Sequence, residues 1–512
     1  MKKKLYSLTL VSSLFTFFSI TSTGALETES KEMENIIKSV VIKDNCLRVA
    51  INEDFKMKWL TSNFFAYYDS DIDLTKIPYS IALLPFIFNI YPIVWISGKD
   101  YSIDCMDEDA YYSLEKIKKV FQRLYPQTSF SGNLVPKELI KNRLPAPHVS
   151  SESEIAVLFS NGLDSTACSF QHHDKKQLLI TAQGQADLPI KKRHLWERQK
   201  KKFMQYALDY GHTNAFVRSN YTEFLNRKKL NSISPEIVSW RVDTTEGVGL
   251  FGIAAPILFS KGHTTLLIGS SFTWEFPYPT AANPLVDDNL TVADSISLHH
   301  EHFNCNRFDK IKLIVDLIKT KKIKTPYLKV CNFNKSGENC CLHCTKCKTV
   351  VSGLIALREN PLIYGFRLHT KRVIKKPLRY FSDEQGYWAG WNFCTMQKRL
   401  EQIEKLPKKV RWMLTCDFMQ KVIRYKVGTK TRVNWQDFRD LAPDTLEIPT
   451  TIVNDCCDNN QARKKQERAK QQYENRVKKA ADSPSPTKKT MVPKKCKPRS
   501  AFSQSVGNRH TQ

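Results

Sequence analysis

Cysteine is too sparse in this chain to build a disulfide scaffold: there are 14 in 512 residues, whereas crosslinked domains exceed about 8%. Acidic residues are in deficit, with 51 Asp and Glu against 78 Lys and Arg, for a formal net charge of +27. No G-x-x-x-x-G-K-[ST] run occurs, which excludes the usual P-loop of kinases and GTPases. Long apolar runs are scarce. One, within residues 1–30, follows Lys2, Lys3 and Lys4, continues through LYSLTLVSSLFTFFSI and then turns small and polar. It has the pattern of a secretory signal peptide and is too short and too rich in Ser and Thr for a good membrane span. The other, IALLPFIFNIYPIVWI at residues 81–96, is interrupted by Pro85, Asn89 and Pro92 and reads as buried strands or a broken helix. No stable membrane span is expected.

What remains is the composition of a soluble globular chain, 41% hydrophobic and 25% charged, long enough for two or three domains. The positive charge is uneven. Residues 461–512 hold 15 Lys or Arg against 3 Asp or Glu and almost no large apolar side chains, so this stretch reads as a disordered basic tail. It is either a solvated extension or an arm seeking the phosphates of nucleic acid or an anionic membrane. Residues 367–460 carry a Trp-rich segment (Trp388, Trp391) and the helical stretch LEQIEKLPKKVRWML, an added helical extension or a decoration of the main body.

The strongest local signal is EIAVLFSNGLDSTACSF. An apolar strand (Ile155 to Phe159), a small polar turn and a helix starting near Ser165 present backbone N–H groups and the positive end of a helix dipole to an anion. Ser160, Ser165 and Thr166 add hydroxyls, and Asp164 can position a metal ion or cap the helix. An ordinary strand-turn-helix corner is the plain alternative. Further strands at residues 178–185, 214–220 and 265–271 alternate with helices at 191–210 and 246–260. This order implies an α/β fold with a doubly wound parallel sheet and right-handed crossovers. Ligands bind such sheets beyond the carboxyl ends of the strands, so the loops at residues 160–165 and 269–273 should face one pocket.

Five cysteines crowd between Cys331 and Cys347. Cys341, Cys344 and Cys347 form two C-x-x-C steps, and Cys331 can close a tetrahedron around structural zinc. Cys340 is adjacent, but the spacing favours Cys341. An iron–sulfur cluster, or disulfides in an oxidising compartment, are the competing uses. His299, His300, His302 and Cys305 form a second, less regular metal-ligand set. Asp287 and Asp288 either bind substrate or Mg²⁺ or form a turn.

Ser160-Asn161-Gly162-Leu163-Asp164-Ser165 resembles the S-G-G-x-D-S signature of the PP-loop ATP pyrophosphatases. Asn161 stands where that family has its first glycine, and Asn tolerates a left-handed backbone better than other side chains. A PP-loop followed by cysteines at this spacing resembles 7-cyano-7-deazaguanine synthase. NCCLHCTKCKTVVSGLIAL, Ser270-Ser271-Phe272-Thr273, Pro284-Leu285-Val286-Asp287, and His300 with Arg307 and Lys310 look like a branch of synthase-like proteins. The likeness spans about residues 41–366. It implies an N-terminal α/β region at 41–150, a Rossmann-like PP-loop nucleotide domain at 151–330 and a four-cysteine zinc subdomain at 331–366.

The resemblance further implies an ATP-dependent ligase. ATP, with Mg²⁺, would adenylate a carboxylate or amide oxygen of a small heterocycle or amide precursor, and a nitrogen nucleophile would displace the adenylate. Ser160, Asn161, Gly162, Leu163, Asp164, Ser165, Thr166, Ser270 and Ser271 would hold the nucleotide. Arg307 and Lys310 would stabilise the adenylated oxygen beside Asp164, and Zn²⁺ would be structural. A tRNA-modifying PP-loop enzyme, or a non-catalytic module binding nucleotide or nucleic acid, are the alternatives. ATP and reduced thiols place the chain in the cytoplasm, whereas the signal-like start would export it.

Overall fold

The computed structural model describes residues 33–366, except 70, 145–153, 186, 277, 332–336 and 340–344, together with 433–450 and 452. The signal-like start, most of the helical extension and the basic tail lie outside the described residues. The strands are β1 (Ile37–Lys43), β2 (Cys46–Ile51), β3 (Phe64–Tyr68), β4 (Tyr101–Asp107), β5 (Leu134–Ile140), β6 (Ile155–Leu158), β7 (Gln177–Gln183), β8 (Thr213–Ser219), β9 (Thr265–Gly269), β10 (Thr291–Val292) and β11 (Ile296–Glu301). β4 and β5 pair in a small parallel sheet, and the rest form one nine-stranded sheet in the order β1-β2-β3-β8-β7-β6-β9-β11-β10. Its middle, β8-β7-β6-β9-β11, is parallel, flanked by antiparallel neighbours at both ends. Strands β1, β2 and β3 of the N-terminal region thus share one sheet with the strands of residues 151–330.

Period-2 alternation divides the core into two layers. Ala156 and Leu158 of β6 face one hydrophobic cluster with the helices Leu84–Ser97 and Glu246–Lys261. Ile155 and Val157 face the other, with the helices Leu163–Gln171, Arg193–Tyr210, Arg307–Lys321 and Thr345–Ala356. Helices therefore cover both faces of a largely parallel sheet, the doubly wound arrangement that strand–helix alternation implies. In chain order the five parallel strands stand 3-2-1-4-5, and winding reverses between β6 and β9. A right-handed crossover in the new direction places Glu246–Lys261 on the opposite face from the two helices before it.

The apolar run at 81–96 folds as the helix pair Tyr79–Ala82 and Leu84–Ser97, almost wholly buried. Pro85 sits in a first turn, where its missing N–H costs nothing, and Asn89 Nδ2 donates to Pro85 O at 2.9 Å and Gly249 O at 3.2 Å. The segment Arg241–Lys261 is long and apolar enough to cross a membrane, but 83% of its most apolar window is buried inside the protein. It is a central core element.

The described part of the helical extension belongs to the main body. A 3-10 helix, Trp435–Leu441, packs Trp435 edge-on against both Trp274 and Phe303, with Trp435 Nε1 donating to Trp274 O at 2.9 Å.

Candidate functional site

β6 ends at Leu158, the sheet position where winding reverses, and the chain turns through Phe159, Ser160, Asn161 and Gly162 into the helix Leu163–Gln171. Asn161 takes the left-handed conformation, φ 58°, that the turn requires, and its carbonyl accepts Lys329 N–H at 2.7 Å. Asn161→Ala is expected to lose about 1 kcal/mol more than Asn161→Gly in urea unfolding, because a Cβ with no amide to compensate is strained there. Equal midpoints for the two variants would mean that the turn does not hold this conformation.

Gly162 is the helix N-cap, so among the described residues the first turn has no side-chain cap. The turn opens on a cavity lined by Ser160, Gly162, Leu163, Asp164 and Ser165, and by Gly269 and Ser271 of the adjoining loop. The two loops that follow β6 and β9 thus face one cavity at the carboxyl ends of the parallel strands. Ser160 and Ser165 hydroxyls meet across the turn at 3.2 Å. Asn161, Thr166 and Ser270 are buried behind the lining. Thr166 lies one turn into the helix on its core face, and Ser270 Oγ donates to Phe272 O at 2.7 Å, bracing its own loop.

Asp164 does not cap the helix; its carboxylate gathers cations. Arg307 Nη2 donates to Oδ2 at 3.0 Å, Lys310 Nζ to Oδ1 at 3.3 Å and Ser271 Oγ to Oδ2 at 3.3 Å. Arg307 and Lys310 lie one helical turn apart on Arg307–Lys321 and are buried, so they are not surface charges. Lys310 Nζ also donates to the carbonyl of Ser270. Burial alone would raise the Asp164 pKa, but Arg307, Lys310 and Lys346 outweigh it and hold the carboxyl below its ordinary range. Lys310 is in turn pushed down by burial, with Asp164 opposing.

More charge converges on the same cavity. Lys329 pairs with Asp187, and Arg241 Nη1 donates to Glu246 Oε1 at 2.7 Å. Asp187 is likewise held low, because Lys329 and Lys346 outweigh burial. Arg241 stands at the start of a π-helical turn, Arg241–Thr245, ahead of the core helix; such turns recur at functional sites. Lys346, pushed below its usual pKa by burial and by Arg307, lines the same cavity. Lys329, Lys346, Asp187, Arg241 and Glu246 were not assigned from sequence. The only hint was positional, since Lys346 sits inside C-T-K-C and Lys329 two residues before Cys331.

His300 lines this cavity too, whereas its neighbour His299 points to the other face of β11 and bonds Ser297 Oγ at 3.0 Å. Strand alternation therefore splits the second metal-ligand set, and among the described residues no group of three or more His, Cys, Asp or Glu could hold a metal ion. Asp287 and Asp288 end the short helix Pro284–Asp287. Asp287 pairs with His300 instead of lining an open metal site. Of the four zinc candidates, Cys331 and Cys347 are buried in one hydrophobic cluster. Cys341 and Cys344 lie outside the described residues.

Burial pushes the Asp288 carboxyl up to about 7, with His300 opposing. A carboxyl raised in the folded state contributes stability that is fully present below its unfolded pKa and lost as pH rises through 7. Asp288→Asn should therefore raise Tm at pH 8 and leave it nearly unchanged at pH 4. Thermal melts at the two pH values check this, and an equal shift at both would assign the effect to packing.

Compared with protein families, curated proteins and solved structures, the chain matches none.

Proposed function

We propose that this chain is an ATP-dependent adenylating ligase of the PP-loop type, similar to 7-cyano-7-deazaguanine synthase, working on a small heterocyclic carboxylate or amide precursor in the cytoplasm. The observation that carries the reading is a helix start at the sheet's winding reversal that opens on one cavity lined by Arg307, Lys329 and Lys346, with Lys310 held beside it on Asp164. Helix N-termini and lysine or arginine clusters both stabilise phosphate charge. The cavity's carboxylates, Asp164, Asp187 and Glu246, each carry a cation already, so the cluster keeps an excess of positive charge for an anion.

In this reading the first turn and the Ser160 and Ser165 hydroxyls bind the phosphates of MgATP. Arg307 and Lys310 offset the charge that grows as pyrophosphate separates from the adenylated oxygen. Asp164 is a positioning residue that fixes both cations. Two buried thiols within one cluster suit a structural zinc, which Cys331, Cys341, Cys344 and Cys347 would hold and which would close the 331–366 segment against the helix Arg307–Lys321.

The test is pyrophosphate release from MgATP by the full chain, given ammonium and a panel of heteroaromatic carboxylates, with zinc measured on the same sample. Carboxylate-dependent release with about one zinc per chain is the expected result. Tight ATP binding with no release for any carboxylate or for tRNA would replace the ligase by a nucleotide-binding module.

A further inference from the structure

One pair at the cavity wall, His300 in the lining and Asp287 buried behind it, has no part in binding phosphate. His300 Nδ1 lies 2.7 Å from Asp287 Oδ2, with the two side chains 1% and 0% exposed. His300 Nε2 has no hydrogen-bond partner among the described residues, although the ring lines the cavity. A buried imidazole nitrogen without a partner is destabilising unless a ligand supplies one. The ring cannot drift to find another. Phe303 packs edge-on at 5.3 Å, and the His300 backbone N–H donates to Asp288 Oδ1 at 2.6 Å.

We propose that Asp287 holds His300 so that its Nε2–H faces the cavity and donates a hydrogen bond to an oxygen of the substrate group that the site activates. This inference rests on the ligase reading and names the part of the substrate that the dyad takes: a carboxylate or amide oxygen.

The direction of the hydrogen bond follows from Asp287. Its second oxygen, Oδ1, is buried without a partner among the described residues, and Gly247 packs so closely that a Cβ there would overlap it. An ionised carboxylate needs both oxygens solvated or bonded, whereas a carboxylic acid carries a single weak acceptor there. The surroundings agree. Glu246 faces the pair from the core helix, Asp288 from the helix cap, Glu301 from β11 itself, and Lys310 from Arg307–Lys321. Burial and Glu246 push the Asp287 carboxyl well up, and burial pushes the His300 imidazole down to about 4. Both shifts favour the neutral forms, in which the acid O–H donates to Nδ1 and the remaining ring proton resides on Nε2. A carboxylic acid kept neutral by an apolar site so that it can donate is a known catalytic device.

Nitrogen-15 NMR of the full chain labelled at histidine reads the tautomer directly. The expected spectrum has His300 as a neutral Nε2–H ring from pH 5.5 to 8.5, with its Nε2–H proton moving downfield when benzoate is added as a probe carboxylate. Asp287→Asn keeps a donor toward Nδ1 and should keep both signals. Asp287→Ala should lose them, with the ring titrating closer to the usual histidine value. An Nδ1–H tautomer in the wild type, its loss in Asp287→Asn, or no response to benzoate overturns the proposal. Absence of pyrophosphate release with these signals intact would overturn the ligase reading alone.

Discussion

Asp164→Ala is expected to abolish pyrophosphate release and to lower the unfolding free energy at pH 7 by about 3 kcal/mol, the cost of stripping the partner from a buried ion pair. Its carboxylate lies between Arg307 and Lys310, whose side chains are 3% and 1% exposed. Without Asp164 both cations remain buried with like charges facing them, and neither stays fixed beside the cavity. The two losses separate by pH. Lys310 is already pushed down by burial, and removing Asp164 lowers it further. A lysine whose folded pKa lies below its unfolded value destabilises while charged, and stability returns as pH rises through the folded pKa. The stability deficit of Asp164→Ala should therefore be smaller at pH 10 than at pH 7 in urea unfolding, while activity stays absent at both. Retained pyrophosphate release, or a deficit independent of pH, would remove Asp164 from its place as the anchor of these cations.

Gly269→Ala is the second large effect. Gly269 ends β9, and a Cβ there would overlap the carbonyl of Asp164 and come within 3.1 Å of Ser165 N. These are backbone atoms of the first helical turn, so no side chain can swing away. Strand and helix must separate, at about 1–3 kcal/mol, and the uncapped turn moves off the cavity. Urea unfolding and calorimetric ATP titration should both register the change, with affinity falling along with stability. A variant with wild-type stability and affinity would mean that the end of β9 and the turn after β6 do not pack this closely.

Much of the frame was legible because its causes are local. The apolar run at residues 155–159 is read as a strand at any position, and the amphipathic stretch at 191–210 gave the helix Arg193–Tyr210. Asn161 could be matched to a left-handed position because that preference depends on one residue's sterics. The run at 81–96 was ambiguous, since an apolar segment without a polar face has no period to separate helix from strand. It became helical where it could pack against Glu246–Lys261, with Phe88 against Phe251 at 5.7 Å.

The sequence by itself determined the alternation of strands and helices, the turn at residues 160–162 and the clustering of cysteines, because periodicity, steric preference and spacing act over a few neighbouring residues. Only the tertiary structure decided which charges meet. Asp164 pairs with groups 143 and 146 residues away, Lys329 finds Asp187 and Asp287 finds His300. The order of parallel strands sets these meetings by bringing their carboxyl ends together, and burial then strengthens each pairing by removing the water that would otherwise screen it.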